Sequence, residues 1–251
     1  MKVSIITVTY NSARFLQECI DSVYEQEHEE IEHIIVDGNS TDITVEIINR
    51  NIKKISNYVS EPDSGIYDAI NKGIKMATGE IVGILNSDDI FTDKGVVRRI
   101  VEGFTYGFEI IFANIDFISS KTGKIVRHYS SKQFSPWMFR FGFMPAHPTF
   151  YTYLRNFEKY GLYRVDMKIS GDFELLLRYL NIYKLSYKYI DDIWVNMRTG
   201  GVSTSGFKSI TLLNREIQQA CKINGIYTNR LLIYSKYIIK WKSFIVRNMS
   251  K

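Results

Sequence analysis

Residues 81–89 read Ile81-Val82-Gly83-Ile84-Leu85-Asn86-Ser87-Asp88-Asp89, an apolar run of strand length that ends on two adjacent carboxylates. An unbroken apolar run bounded by turn residues is the pattern of a strand buried on both faces, as parallel sheets require. Upstream, residues 66–78 read as a helix closed by Gly79, and Ile55 to Ser60 as a third strand. Ile34 to Val36 reads as the second strand, followed by Asp37-Gly38-Asn39-Ser40-Thr41-Asp42, in which Ser40 or Thr41 could cap the next helix. Val3 to Thr9 reads as the first, and Phe15, Leu16, Cys19, Ile20, Val23 and Tyr24 then recur at helical spacing. Strands alternating with amphipathic helices predict βαβ units and a mostly parallel central sheet flanked by helices. Ligands of such sheets bind beyond the carboxyl ends of the strands, where this chain repeatedly places acids and small polar residues.

Downstream the pattern changes to longer strands over Ile110 to His128, with Lys121-Thr122-Gly123-Lys124 as a hairpin turn. Helical signals return at Asp172 to Leu180, and from Phe207 the chain reads as helix almost to its end. A chain of 251 residues can bury a full core. The expected division is a main α/β domain over 1–205, with halves 1–105 and 106–205, and a helical, basic, amphipathic C-terminal extension over 206–251. Cys19 and Cys221 lie far apart without metal-ligand spacing, so neither a disulfide framework nor a zinc site is expected. The first residues enter a strand without a cleavable leader and no stretch reaches membrane-spanning length, which predicts a cytoplasmic location. Seven basic residues follow Glu216, and removing them from the net charge of +5 leaves residues 1–216 at −2. The basic character therefore belongs to the tail and points to an anionic surface, not to nucleic acid.

Asp88 and Asp89 repel each other and call for a compensating cation; hard oxygen ligands suit Mn²⁺ or Mg²⁺, which a bound diphosphate would bring. Asp-Asp alone reads first as a solvated turn or a helix cap, so its surroundings decide. Those are Val8-Thr9-Tyr10-Asn11, Val36 to Asp42, Glu61-Pro62-Asp63-Ser64-Gly65-Ile66-Tyr67-Asp68-Ala69-Ile70-Asn71-Lys72-Gly73, and Gly79-Glu80-Ile81 through Asp89, in this order. Together they closely resemble glycosyltransferase family 2 over about residues 1–205, and the series is far more specific than any one member.

The resemblance implies a GT-A (Rossmann-like) nucleotide-diphospho-sugar transferase fold. By position it assigns the nucleotide-sugar site to Val8, Tyr10, Asp37, Asp63, Asn71, Asp88 and Arg198. Tyr10 would flank the base and Asp37 would meet uracil or ribose. Asp89 would be the direct metal ligand with Asp88 beside it. Many relatives carry Asp where this chain has Asn86, which touches the coordination and not the carboxylate pair.

In Ser170-Gly171-Asp172-Phe173-Glu174, Asp172 is expected to open a helix, at the end where the macrodipole favours a carboxylate. The resemblance makes it the base that deprotonates the acceptor hydroxyl; the plain alternative is an N-cap. His147, in Pro145-Ala146-His147-Pro148, matches an acceptor-side histidine, or is a structural hydrogen-bonding group. Arg198-Thr199-Gly200-Gly201-Val202-Ser203 is similar to the loop that closes over the diphosphate in relatives, or is an ordinary Gly-Gly turn. The implied reaction is an inverting displacement by a hexosyltransferase-type, metal-dependent enzyme that uses a nucleoside diphosphate sugar, closest to UDP-sugar users that extend capsule or O-antigen units. Its acceptor would be a glycan on a polyprenyl diphosphate lipid.

In the tail, Tyr234, Tyr237, Ile238, Trp241, Phe244 and Ile245 form an apolar stripe with Lys236, Lys240 and Arg247 expected on the other side. Residues 229–251 could lie on an anionic membrane, making the enzyme peripheral, or dock on the chain's own core or on a second copy in a homodimer. Two other functions compete. A catalytically inactive sugar-nucleotide-binding assembly partner should show a damaged acid pair or lack the base, and neither is seen. A dinucleotide oxidoreductase needs G-x-G-x-x-G after the first strand, where this chain has Tyr10-Asn11-Ser12-Ala13.

Overall fold

The computed structural model describes residues 1–200 and 207–237. In chain order the strands are β1 (Val3–Thr9), β2 (Ile31–Asp37), β3 (Asn57–Ser60), β4 (Ile81–Ile84), β5 (Ile90–Phe91), β6 (Ile110–Ile118), β7 (Ile125–Tyr129), β8 (Tyr151–Tyr153) and β9 (Tyr187–Arg198). The helices are α1 (Leu16–Tyr24), α2 (Thr44–Arg50), α3 (Ile66–Met76), α4 (Val96–Phe104), α5 (Leu154–Tyr160), α6 (Gly171–Leu177) and α7 (Phe207–Ile223). All nine described strands form one sheet in the order β3-β2-β1-β4-β8-β6-β9-β5, with β7 paired to β6.

β1 is buried along its whole length because it lies between β2 and β4, parallel to both. Its side chains alternate between the faces: Ile6 and Val8 join the core under α3, α6 and α7, while Val3 and Ile5 join the one under α1 and α4. Cys19 packs in the second core, as the helical spacing predicted. Burying each such aliphatic side chain contributes roughly 1.5–3 kcal/mol, so β1, β2 and β4 form a well-packed platform for the loops that follow them.

The parallel expectation holds for β1 to β4 and for the β6–β9 pair. β8 inserts antiparallel between β4 and β6, and β7 and β5 are antiparallel to their neighbours. β8 and β5 cross the 105/106 division, so the two halves share one sheet. The hairpin turn is as read: Ser119 N–H donates to Lys124 O and Gly123 N–H to Ser119 O. β3 starts two residues late because Ile52–Lys54 form a 3₁₀ turn. Neither Ser40 nor Thr41 caps α2; Asp42 Oδ1 accepts the N–H of Thr44 at 2.9 Å instead.

The C-terminal region is helical but broken. α7 ends at Ile223, Gly225 adopts φ 69°, and helix resumes over 230–237. Ile217, Ala220, Cys221 and Ile233 enter the same core as α6, so the described part of the extension packs on the main domain. Lys236, expected on the polar side, is instead only 3% exposed, its ammonium 5.2 Å from the Tyr237 ring centre. Ile238, Lys240, Trp241, Phe244, Ile245, Arg247 and Val202 to Ser203 lie outside the described residues. Among the described residues no helix is long and apolar enough to cross a membrane.

Candidate active site

The carboxyl ends of β1, β2, β3 and β4 open on one side of the sheet, and their loops tie to one another. Asn11, at φ 49°, accepts the N–H of Thr41 and Asp42 at its Oδ1, and its own N–H donates to Ser40 Oγ. Ser87 Oγ donates to Ser12 Oγ at 3.0 Å, joining the first loop to the acid loop. Tyr10 stands at the end of β1 with 62% of its surface exposed. A β-carbon at Gly38 would come 2.4 Å from Asp63 Oδ2 and 3.5 Å from Tyr10 Cδ2, so Tyr10, Gly38 and Asp63 converge on one cradle. Asp63 Oδ1 accepts the N–H of Gly65, which presents the second oxygen to that space.

Three residues assigned to the nucleotide site do other work. Asp37 is fully buried and its carboxylate accepts from Ser40 N, Ser40 Oγ and Ser60 Oγ, so it clamps the loops after β2 and β3. Val8 is part of the core floor. Asn71 spends both ends of its amide on the backbone of Tyr163, at 2.9 and 3.0 Å, and anchors the segment leading to α6.

The acid pair follows β4. Asp88 is half-buried and Asp89 buried. Burial pushes the Asp88 carboxyl above the usual carboxylate range, opposed by Arg198; burial, then the charge of Asp88, pushes Asp89 well above it. Asp89 accepts the backbone N–H of Arg198 and the side-chain amide of Asn86, each at 3.3 Å. Asn86 can donate where an aspartate could only repel, so this departure from the family pattern steadies the buried member of the pair.

The expected order, Asp89 as ligand and Asp88 as neighbour, meets an exposure that favours Asp88 as the carboxylate open to the cleft. Arg198 is not in a loop: it ends β9, buried, with Nη2 2.5 Å from Glu18 Oε2 and its guanidinium 4.3 Å from the Phe15 ring centre. Its Nε is buried without a hydrogen-bond partner among the described residues.

Among the described residues no group of three or more His, Cys, Asp or Glu is placed to hold a metal. Two carboxylates whose ionisation burial opposes still fit Mn²⁺ or Mg²⁺, since such ions bind one or two protein carboxylates and take the rest of their ligands from phosphate and water.

The same end of the sheet carries His147 and Asp172. β8 runs antiparallel to β4, so its first residue, Tyr151, faces Gly83 near the acid pair, and His147 lies just before it. His147 Nδ1 is 3.3 Å from Asp172 Oδ2. Tyr67, in the first turn of α3, donates from its hydroxyl to Asp172 Oδ1 at 3.3 Å, and Phe173 N–H reaches the same oxygen at 2.8 Å. Burial, then the charge of Asp172, holds the Tyr67 phenol protonated well above its ordinary range, so it serves as a donor. Gly171 makes room for this: a β-carbon there would lie 2.8 Å from the Tyr67 ring. Asp172 is the second residue of α6 and Ser170 precedes the helix, so Asp172 is not its N-cap.

The family model for glycosyl transferase family 2 matches residues 4–168, about two thirds of the chain. The chain belongs to glycosyl transferase family 2. An uncharacterised glycosyltransferase of Mycobacterium tuberculosis is 38% identical over 104 residues, 41% of this chain and 40% of that protein. A PGL/p-HBAD biosynthesis glycosyltransferase of Mycobacterium bovis is 35% identical over 100 residues, 39% of each chain. These matches span about 40% of the length of those relatives. Among solved structures, Staphylococcus aureus TarS in complex with UDP-GlcNAc superposes with TM-score 0.68 at 20% identity, over 88% of this chain and 66% of that one. A mannosyltransferase of Pyrobaculum calidifontis in complex with GDP-Man and Mn²⁺ gives 0.64 at 16%, over 87% and 64%. The fold is therefore the GT-A fold.

Within this family 2 chain, Tyr67 and Glu18 are residues that sequence reading did not single out. Tyr67 meets Asp172 across a separation of 105 residues and Glu18 meets Arg198 across 180, and no local pattern encodes either meeting.

Proposed function

We propose that this chain is an inverting glycosyltransferase that moves a sugar from a nucleoside diphosphate donor, a UDP-sugar, to a hydroxyl of a lipid-linked glycan in surface polysaccharide synthesis. The observation that carries the proposal is the Asp172 carboxylate, held by Tyr67, His147 and the Phe173 N–H at the sheet end where the buried acid pair also sits. Tyr10 and Asp63 line the base and ribose cradle. Asp88 and Asp89 would hold Mn²⁺ or Mg²⁺, which supplies charge neutralisation for the departing diphosphate. Asp172 accepts the proton of the acceptor hydroxyl as its oxygen bonds to the anomeric carbon. The bond from that carbon to the diphosphate oxygen breaks on the opposite face, so the configuration inverts and no covalent enzyme intermediate is needed. His147 and Tyr67 keep the Asp172 oxygens aimed at the incoming hydroxyl. The relatives' bound UDP-GlcNAc and GDP-Man support a nucleotide-sugar donor, and the basic tail supports an acceptor at a membrane surface, with the enzyme peripheral on its cytoplasmic side.

The test is Asp172→Asn. UDP should bind as tightly as in the parent, measured calorimetrically, while transfer to a lipid-linked acceptor extract falls about 10²–10⁴-fold. Unchanged transfer refutes the assignment of the base; undetectable binding of every nucleoside diphosphate to the parent chain refutes the transferase reading.

A further inference from the structure

The helix over 230–237 presents apolar side chains to solvent as well as to the core. Its inward side chains are Ile233, 1% exposed, and the cationic Lys236, while Leu231 stands 84% exposed and Tyr234 is exposed beside it. Several exposed apolar side chains gathered beside cations mark a surface that meets surroundings other than bulk water. The aromatic segment 136–144 adjoins it. Thr228 Oγ1 donates to Arg140 O at 2.5 Å, and a β-carbon at Gly142 would lie 3.2 Å from Lys236 Nζ and 3.5 Å from Ile217. Trp137 in that segment is 60% exposed.

Charge follows the same two segments. Residues 117–157 contain no Asp or Glu and six Lys or Arg, and residues 217–251 contain no Asp or Glu and seven. Segment 136–144 and residues 227–237, each drawn from an acid-free stretch, thus adjoin, and there Trp137, Tyr227, Leu231 and Tyr234 are exposed together with Arg140 and Arg230. A protein partner with an apolar patch would not require the cations, and a free anionic ligand would not require exposed Leu and Trp. Apolar side chains that enter an acyl boundary, surrounded by cations that meet its headgroups, require both. Segment 136–144 leads within three residues to His147, which contacts Asp172.

We infer that this composite face, and not the extreme tail alone, seats the protein on an anionic lipid bilayer and turns the Asp172 side of the cleft toward the membrane. The face is independent of the donor chemistry, although its use in catalysis rests on the transferase reading above.

Co-sedimentation of the full chain with vesicles of phosphatidylcholine, or of phosphatidylcholine with phosphatidylglycerol, tests this. The parent should bind the anionic vesicles and release them in high salt. Trp137→Ser/Leu231→Ser/Tyr234→Ser should weaken binding at least tenfold with an unchanged melting temperature, because all three side chains are exposed. Arg140→Gln and Arg230→Gln should cost about fivefold each. The inference is overturned by equal binding to neutral vesicles, or by a triple variant that binds like the parent while Trp241→Ser/Phe244→Ser abolishes binding. It is overturned equally by light scattering that shows a parent dimer which the triple variant breaks, since the face would then join two copies. UDP binding measured on the same preparations separates these outcomes from failure of the transferase reading.

Discussion

Two carboxylate sites lie at opposite ends of the parallel strands, and burial acts on both in the same direction. At the entry of β2, Glu32 is buried beside Ser4 of β1 and receives the Ser4 hydroxyl at 2.5 Å, the Thr78 N–H and hydroxyl at 2.8 and 2.6 Å, and Lys2 Nζ at 2.9 Å. Burial pushes its carboxyl up, and the donors from Ser4, Thr78 and Lys2 outweigh it, bringing it from 4.5 down to about 2. At the exit of β4, Asp88 and Asp89 are given fewer and longer hydrogen bonds, and burial raises both. One end of the sheet is closed by satisfied charge; the other retains carboxylates whose ionisation burial opposes. Perturbed acids left underserved in a cleft mark a functional end of a fold, and donors spent on an acid mark a structural one.

The contrast yields ordered expectations. Asp89→Asn should weaken donor binding about 10–100-fold in Mn²⁺, measured calorimetrically, and leave the metal-free melting temperature unchanged or higher, because the carboxylate repulsion is gone. A lower metal-free melting temperature would make the pair structural and break the contrast.

Glu32→Gln should do the reverse, with UDP binding unchanged and stability reduced by about 1–3 kcal/mol in urea titration. The pH dependence sharpens it. A carboxylate depressed in the fold contributes stability that is present above the ordinary glutamate range and is lost as pH falls from 4.5 toward about 2. His33, buried and lowered from 6.5 to about 4, favours the neutral form, so its contribution is likewise lost as pH falls through that interval. The acid pair has the opposite sign: with raised pKa, its contribution is present below the ordinary carboxylate range and is lost as pH rises. Thermal melts from pH 7 to 3 should therefore show acid lability that shrinks in Glu32→Gln.

The smallest effect is expected at Tyr67→Phe. Losing one hydrogen bond to Asp172 should lower kcat about 2–10-fold with KM unchanged, and UDP binding should be untouched.

The nucleotide half was legible because its contacts are local. Each βα unit of about thirty residues announces itself by periodicity, and the loops that carry Tyr10, Asp63, Asp88 and Asp89 follow at once from parallel topology. Asp37 was visible as an acid after a strand, but its three donors, which turn it inward, arrive from Ser40 and Ser60 through folding. β8, three residues long, gives no readable alternation, so its insertion between β4 and β6 could not be anticipated.

Residue pattern alone thus set the parallel half-sheet, the order of the loops, the acid pair and the basic tail, because period, turn chemistry and charge are properties of neighbouring residues. The tertiary structure alone decided that Asp172 is held by Tyr67 and His147, that Arg198 is tied to Glu18, and that Lys236 turns inward while Leu231 turns outward. Those outcomes depend on which distant segments share a surface, and the energy of that sharing exists only once the chain has closed on itself.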